Sequence, residues 1–101
     1  MSDAVTAQGL VKEVYSPKFY GSVKAALYQA YQDLNKRTTK QITERRVRSI
    51  WDGTAKRIDG EELDALRAQR AEHIKKEQVR LRERLAEIDA ILARRREMEA
   101  H

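Results

Sequence analysis

From residue 61 to residue 100 the chain contains neither glycine nor proline. Once a helix starts there, nothing in the next forty residues stops it. The start is marked. Asp59 is suited to cap, Glu62 follows three residues later, and Ile58 and Leu63 bracket the pair as a hydrophobic staple. Acids crowd the beginning (Asp59, Glu61, Glu62, Asp64) and bases the end (Arg94, Arg95, Arg96), as the helix dipole favours. At ~1.5 Å per residue this is a rod of about 60 Å, far longer than an ordinary globular helix.

Such a helix needs cover for its apolar side. Ile74, Leu81, Leu85, Ile88 and Leu92 advance in steps of 7, 4, 3 and 4, a heptad seam with Gln78 as its polar member. Val79 and Ile91 widen it, and charges of both signs stud the remaining faces. Residues 59–101 are therefore expected to be a long helix that oligomerises as a coiled coil, as a dimer or higher. Leu at one core position and Ile at the other favours more than two strands in a parallel coil, with antiparallel pairing left open. The competing expectation is that the seam folds back on the chain's own Leu10, Val14 and Tyr15. Leu63 and Leu66 are out of register with the seam and are expected to dock the start of the helix on the preceding domain.

The rest of the chain also reads as helix. Only 4 Gly and 1 Pro occur, and 37% of residues are charged, so a β-sandwich or doubly wound α/β fold is not expected. The predicted fold is all-α: a flexible tail over 1–9, a small helical domain over 10–58, then the long helix. Leu10, Val11, Val14 and Tyr15 suit a short amphipathic helix that stops at Ser16-Pro17. A second helix is expected from there to Asn35, running through Gly21, with Tyr20, Val23, Leu27, Tyr31 and Leu34 in helical period. Residues 35–41 read as a loop. Thr43 is placed to cap a helix over 44–52, with Ile42 and Val47 as its staple and Gly53 as its left-handed terminator. The four tyrosines are read as helix-packing residues with solvated hydroxyls.

Formal net charge is +5, and it is localised. Residues 36–57 carry eight bases and two acids, net +6, whereas the flanking segments are near neutral. A concentrated basic stretch attracts anions, and nucleic acid is the commonest polyanion. Arg45, Arg46, Arg48 and Ser49 point away from the predicted Val47, Ile50 and Trp51 face. A helix fits the major groove of DNA, where Arg bonds the guanine edge through two hydrogen bonds. Lys36, Arg37, Lys40, Lys56 and Arg57 lie in the flanks, suited to phosphates. Thr38, Thr39 and Gln41 add neutral donors. Trp51 is read as core rather than as a base-stacking platform.

The stretch from Ile42 to Gly53, with Thr43 as cap and Val47 and Ile50 as anchors, resembles the second helix of a bacterial or phage helix-turn-helix. The resemblance spans about residues 22–58. It implies a double-stranded DNA partner, with Glu44, Arg45, Arg46, Arg48 and Ser49 on the groove side. It also implies a role as a small bacterial or prophage transcriptional regulator or a phage DNA-packaging initiation subunit similar to a small terminase. The alternative is an adaptor or phage-encoded inhibitor that grips a protein partner through the coiled coil and the basic patch. RNA binding is a weaker option, since no aromatic platform for single strands is evident.

Other chemistries lack their residues. No cysteine means no disulfide and no thiolate metal site. His73, near Glu72 and Glu77, and the terminal His101 are too few for a metal cage. No nucleophile–base set or phosphate-cradling glycine loop is present. No enzyme, cofactor or metal is expected. No apolar run of about 18 residues exists to cross a membrane, and the start Met1-Ser2-Asp3-Ala4 is unlike a secretory signal, so a cytoplasmic protein is expected.

Overall fold

The computed structural model describes residues 2–100. Among them every regular element is helical: α1 Asp3–Val14, α2 Pro17–Tyr20, α3 Val23–Arg37, α4 Glu44–Asp52 and α5 Gly60–Ala100. The fold is all-α. A first compact unit ends at Ala71 and a second begins at Glu72. His101 lies outside the described residues.

The expected flexible tail is helix from its third residue. Ser2 caps α1 by accepting a hydrogen bond from the Val5 amide at 3.3 Å, and Asp3 adds an acid to the first turn. Ala7, Val11 and Val14 are buried on one face. No bulky apolar residue marks residues 6–9, so periodicity gives no sign of this turn. Alanine is the strongest helix former, and its small side chain at position 7 is fully enclosed. The head domain therefore begins with α1, not at residue 10.

The expected continuous helix through Gly21 is two helices. Gly21 adopts φ 96° and closes α2, its amide bonding the Pro17 carbonyl. Ser22 then caps α3, accepting from the Ala25 amide at 3.0 Å. Glycine takes the left-handed conformation without a Cβ penalty and serine restarts the chain, so the pair acts as a stop followed by a start. The α3 helix runs on to Arg37, two residues past its expected end, and its last turn is closed by the Thr38 amide on the Leu34 carbonyl at 3.2 Å.

The Thr43 and Gly53 expectations hold. Thr43 Oγ1 accepts from the Arg46 amide at 3.1 Å, and Gly53 has φ 75°. At the start of α5 the Asp59 amide donates to Glu62 Oε1 at 3.0 Å, one half of a capping box.

In the first unit, α1 and α3 both pack on α4, and α2 packs on α3. The core gathers Val11, Val14 and Tyr15, Leu27 and Leu34, Val47 and Ile50, with Leu63 and Leu66 from the first turns of α5. Burial of each such aliphatic side chain contributes about 1.5–3 kcal/mol. Ile42, Ala55 and Ile58 fill it from the connecting segments. Leu63 and Leu66 thus dock the start of α5, as their register suggested. Trp51 is half-buried against the core, with Lys12 Nζ 5.5 Å from its ring centre.

The described part of the second unit is the continuation of α5 from Glu72 to Ala100. There Ile74, Leu81, Leu85, Ile88 and Leu92 are between 38% and 61% exposed, and Gln78 is exposed beside them. The seam side chains are thus exposed along the second unit.

Candidate nucleic-acid interface

The α4 helix is held by its Val47–Ile50 side, which leaves Glu44, Arg45, Arg48, Ser49 and Asp52 on the other. Arg45 and Arg48 are exposed one turn apart. Arg48 Nε lies 3.7 Å from the Asp52 carboxylate, an exposed pair of small energetic weight. Ser49 is only partly exposed, and its hydroxyl donates to the Arg45 carbonyl at 3.1 Å, so it is occupied by its own helix. Thr43 spends its hydroxyl oxygen on the cap.

Arg46 corrects the sequence reading. It was expected on the groove side and is turned inward. Its Nε and Nη2 each donate to Glu62, both at 2.8 Å, and Nη2 also donates to the Arg57 carbonyl. Glu62 is 1% exposed and Arg46 31%. A carboxylate so buried needs a charged partner, and the planar guanidinium fork meets it through two parallel bonds. The paired carboxylate holds the Arg46 guanidinium above its ordinary range, chiefly through these hydrogen bonds. Arg46 is a structural cation that ties α4 to α5.

Other bases of the 36–57 stretch are also engaged internally. Lys40 pairs with Asp59. Arg37 Nε donates to Gln69. Thr39, counted as a free donor, gives both its amide and its hydroxyl to Glu61, the latter at 3.1 Å, and the Thr38 hydroxyl turns back to the Leu34 and Lys40 carbonyls. Lys36, Arg45, Lys56 and Arg57 are exposed, with no ion pair among the described residues. The local excess shrinks accordingly. Extended to residue 62 the stretch carries eight bases and five acids, net +3. Asp59, Glu61 and Glu62, just beyond residue 57, offset three of the six excess charges.

A second polar cluster escaped the sequence reading. The Tyr15 hydroxyl donates to Asp33 at 2.9 Å and accepts from Gln69 at 2.8 Å, while Gln29 donates to the other Asp33 oxygen at 3.0 Å. The Tyr15 hydroxyl was expected to be solvated, yet the side chain is 1% exposed. Burial, with the Asp33 anion beside it, pushes its pKa far up. This network joins α1, α3 and α5 and behaves as a structural lock. Only its distance in sequence, 54 residues from Tyr15 to Gln69, hid it.

Among the described residues no three His, Asp or Glu side chains converge as a metal site requires, and no helix is long and apolar enough to cross a membrane. No family model, curated protein or solved structure shows significant similarity to the chain.

Proposed function

We propose that the protein binds double-stranded DNA through the outer side of α4 and that its α5 seam holds several such heads together. One observation carries the reading: Arg45 and Arg48 project from a capped, rigidly anchored helix, with unpaired Lys36, Lys56 and Arg57 in the segments beside it. The two arginines suit base edges and the flanking cations suit phosphates. A single head of this size makes few contacts, and joining heads turns the second docking into an intramolecular step. Within this reading the roles are a small regulator of transcription or a subunit that starts DNA packaging.

The test is an anisotropy titration of duplex DNA at several salt concentrations. With four to five free cations per head, log affinity should fall with log salt at a slope of about −4 per head. Arg45→Ala with Arg48→Ala should weaken binding at least about tenfold, since a lost bidentate contact is worth roughly 1–3 kcal/mol. Absence of duplex binding at low salt sinks the reading.

A second reading, an adaptor for a protein partner, is favoured by Glu44 and Asp52 on the same side as the arginines. A face of mixed sign matches another protein's surface better than a uniform row of phosphates. DNA affinity without salt dependence, or none at all, favours it.

A further inference from the structure

We infer that the uncovered seam of α5 is occupied by a second copy of this chain, arranged parallel and in register as a two-stranded coiled coil. The inference rests on the self-association in the proposed function and adds its orientation and register. In heptad terms Gln78, Leu85 and Leu92 occupy a, and Ile74, Leu81 and Ile88 occupy d. All six lie in the exposed part of α5. The positions flanking the seam then decide how two copies fit.

In a parallel pair each g residue faces the e residue five positions later on the partner. Glu77 meets Arg82 and Arg84 meets Asp89, opposite signs in both cases and repeated by symmetry. The one like-charged opposition is Arg70 with Lys75, and Arg70 is already held by Glu13 of its own chain at 2.9 Å. An antiparallel pair aligned to keep every seam layer filled behaves differently. It sets Arg82 against Arg82 and Arg84 against Arg84 across the symmetry axis. It also lays the Gln78 amide on Ile88, an apolar side chain that cannot hydrogen-bond it. Parallel pairing instead puts Gln78 against Gln78, where each amide donates to the other, and any slip by a heptad breaks that match.

Charge also fixes the number of strands. Leu at a with Ile at d favours wider bundles when packing alone decides. A wider bundle would enclose e and g, which here carry Lys75, Arg82, Asp89, Glu77 and Arg84. Desolvating that many charges outweighs a packing preference. In one copy Glu77 leans on Arg80 at 3.0 Å and Arg84 on Glu87 at 3.1 Å, exposed pairs that exchange partners at little cost.

The chain has no cysteine, so single thiols can be introduced cleanly into the full-length protein. Leu92→Cys should oxidise to a covalent dimer, because parallel copies bring the two position-92 thiols together. Ile74→Cys mixed with Leu92→Cys, the two carrying tags of different length, should give no mixed disulfide. Sedimentation equilibrium of the unmodified protein should give twice the chain mass. A mixed disulfide in place of the Leu92→Cys dimer overturns the orientation. A threefold or fourfold mass overturns the strand number, and a monomer at tens of micromolar overturns the pairing. The DNA titration is run on the oxidised dimer. A parallel dimer indifferent to DNA strikes the DNA-binding half of the functional reading and leaves this inference standing, whereas a DNA-binding monomer strikes this inference and the joining of heads and leaves the DNA-binding half standing.

Discussion

At the scale of single residues, neighbouring arginines do opposite things. Arg45 and Arg46 differ by one position and by 100° around α4, and that rotation separates a solvated cation from one bound to a buried carboxylate. Arg46→Ala strands Glu62 with only the Asp59 amide. Removing one partner of a buried pair costs about 3–5 kcal/mol, and with Arg46 itself one-third exposed we expect about 2–3 kcal/mol in urea unfolding. Arg46→Lys should recover little, because an ammonium cannot reproduce the two-pronged contact. Arg45→Ala should leave stability within about 0.5 kcal/mol, since it touches no such feature, while lowering duplex affinity. Equal stability for Arg45→Ala and Arg46→Ala would refute the assignment. Tyr15 gives a pH prediction. Its folded pKa lies above the ordinary value of 10.0. Unfolded chains therefore release this proton first as pH rises, so they bind fewer protons than the folded state. The sign is a loss of stability that begins near pH 10 and continues upward. Half-buried Tyr20, also raised, adds to it. Urea midpoints between pH 8 and 11 should fall, and Tyr15→Phe should flatten that fall while lowering stability at neutral pH through its lost hydrogen bonds.

At the scale of elements, chain punctuation is the strongest lever, and two glycines test it differently. A Cβ at Gly21 would meet nothing within 4 Å, so Gly21→Ala is strained by its φ of 96° alone, about 1–2 kcal/mol. At Gly53 the same φ penalty applies, and the Cβ would also lie 2.9 Å from Gln8 Nε2. That amide donates to the Trp51 carbonyl at 3.0 Å, binding α1 to α4. Gly53→Ala should therefore cost about 1 kcal/mol more than Gly21→Ala, the worth of one hydrogen bond. A Gln8→Ala background should remove that difference. The same elements show what could be read in advance. Thr43, Gly53 and the Asp59–Glu62 pair act through neighbours within a turn, so their signals are local and legible. The length of α5 was legible because nothing interrupts it. The break at Gly21 was not, because glycine in a helical period is ambiguous until Ser22 is seen to accept from Ala25. The first turns of α1 were missed because alanine carries helix propensity without apolar bulk. At the candidate site, Arg45 and Arg48 followed from periodicity with Val47 and Ile50. Arg46, Lys40 and Thr39 did not, because their partners Glu62, Asp59 and Glu61 lie 16 to 22 residues away, and only the fold brings them close.

At the scale of the whole molecule, the two units depend on different sources of stability. The first encloses its own core. The second is a helix whose side chains from position 78 to position 100 are all exposed. Isolated helices draw on propensity and i,i+3 or i,i+4 pairs worth only about 0.2–0.5 kcal/mol each, and they are marginal in water. Here such pairs include Arg80–Glu77 and Arg84–Glu87. On the proposed pairing the second unit draws its order from association, and mass action then links its helicity to protein concentration. Circular dichroism at 222 nm should show two events on heating. One has a fixed midpoint and belongs to the first unit. The other moves upward as the protein is concentrated from about 1 to 100 micromolar, with an association free energy of roughly 8 kcal/mol placing the half-dimer point near the lower end. Leu85→Asp puts a charge in the middle of the seam and should abolish the moving event while leaving the fixed one in place. Gln78→Ile should raise the moving midpoint, because a polar core residue trades stability for register. The same substitution should loosen the strand number, seen as a mixture of masses in sedimentation. If both events stay put across that hundredfold range, the seam is not what joins one chain to another.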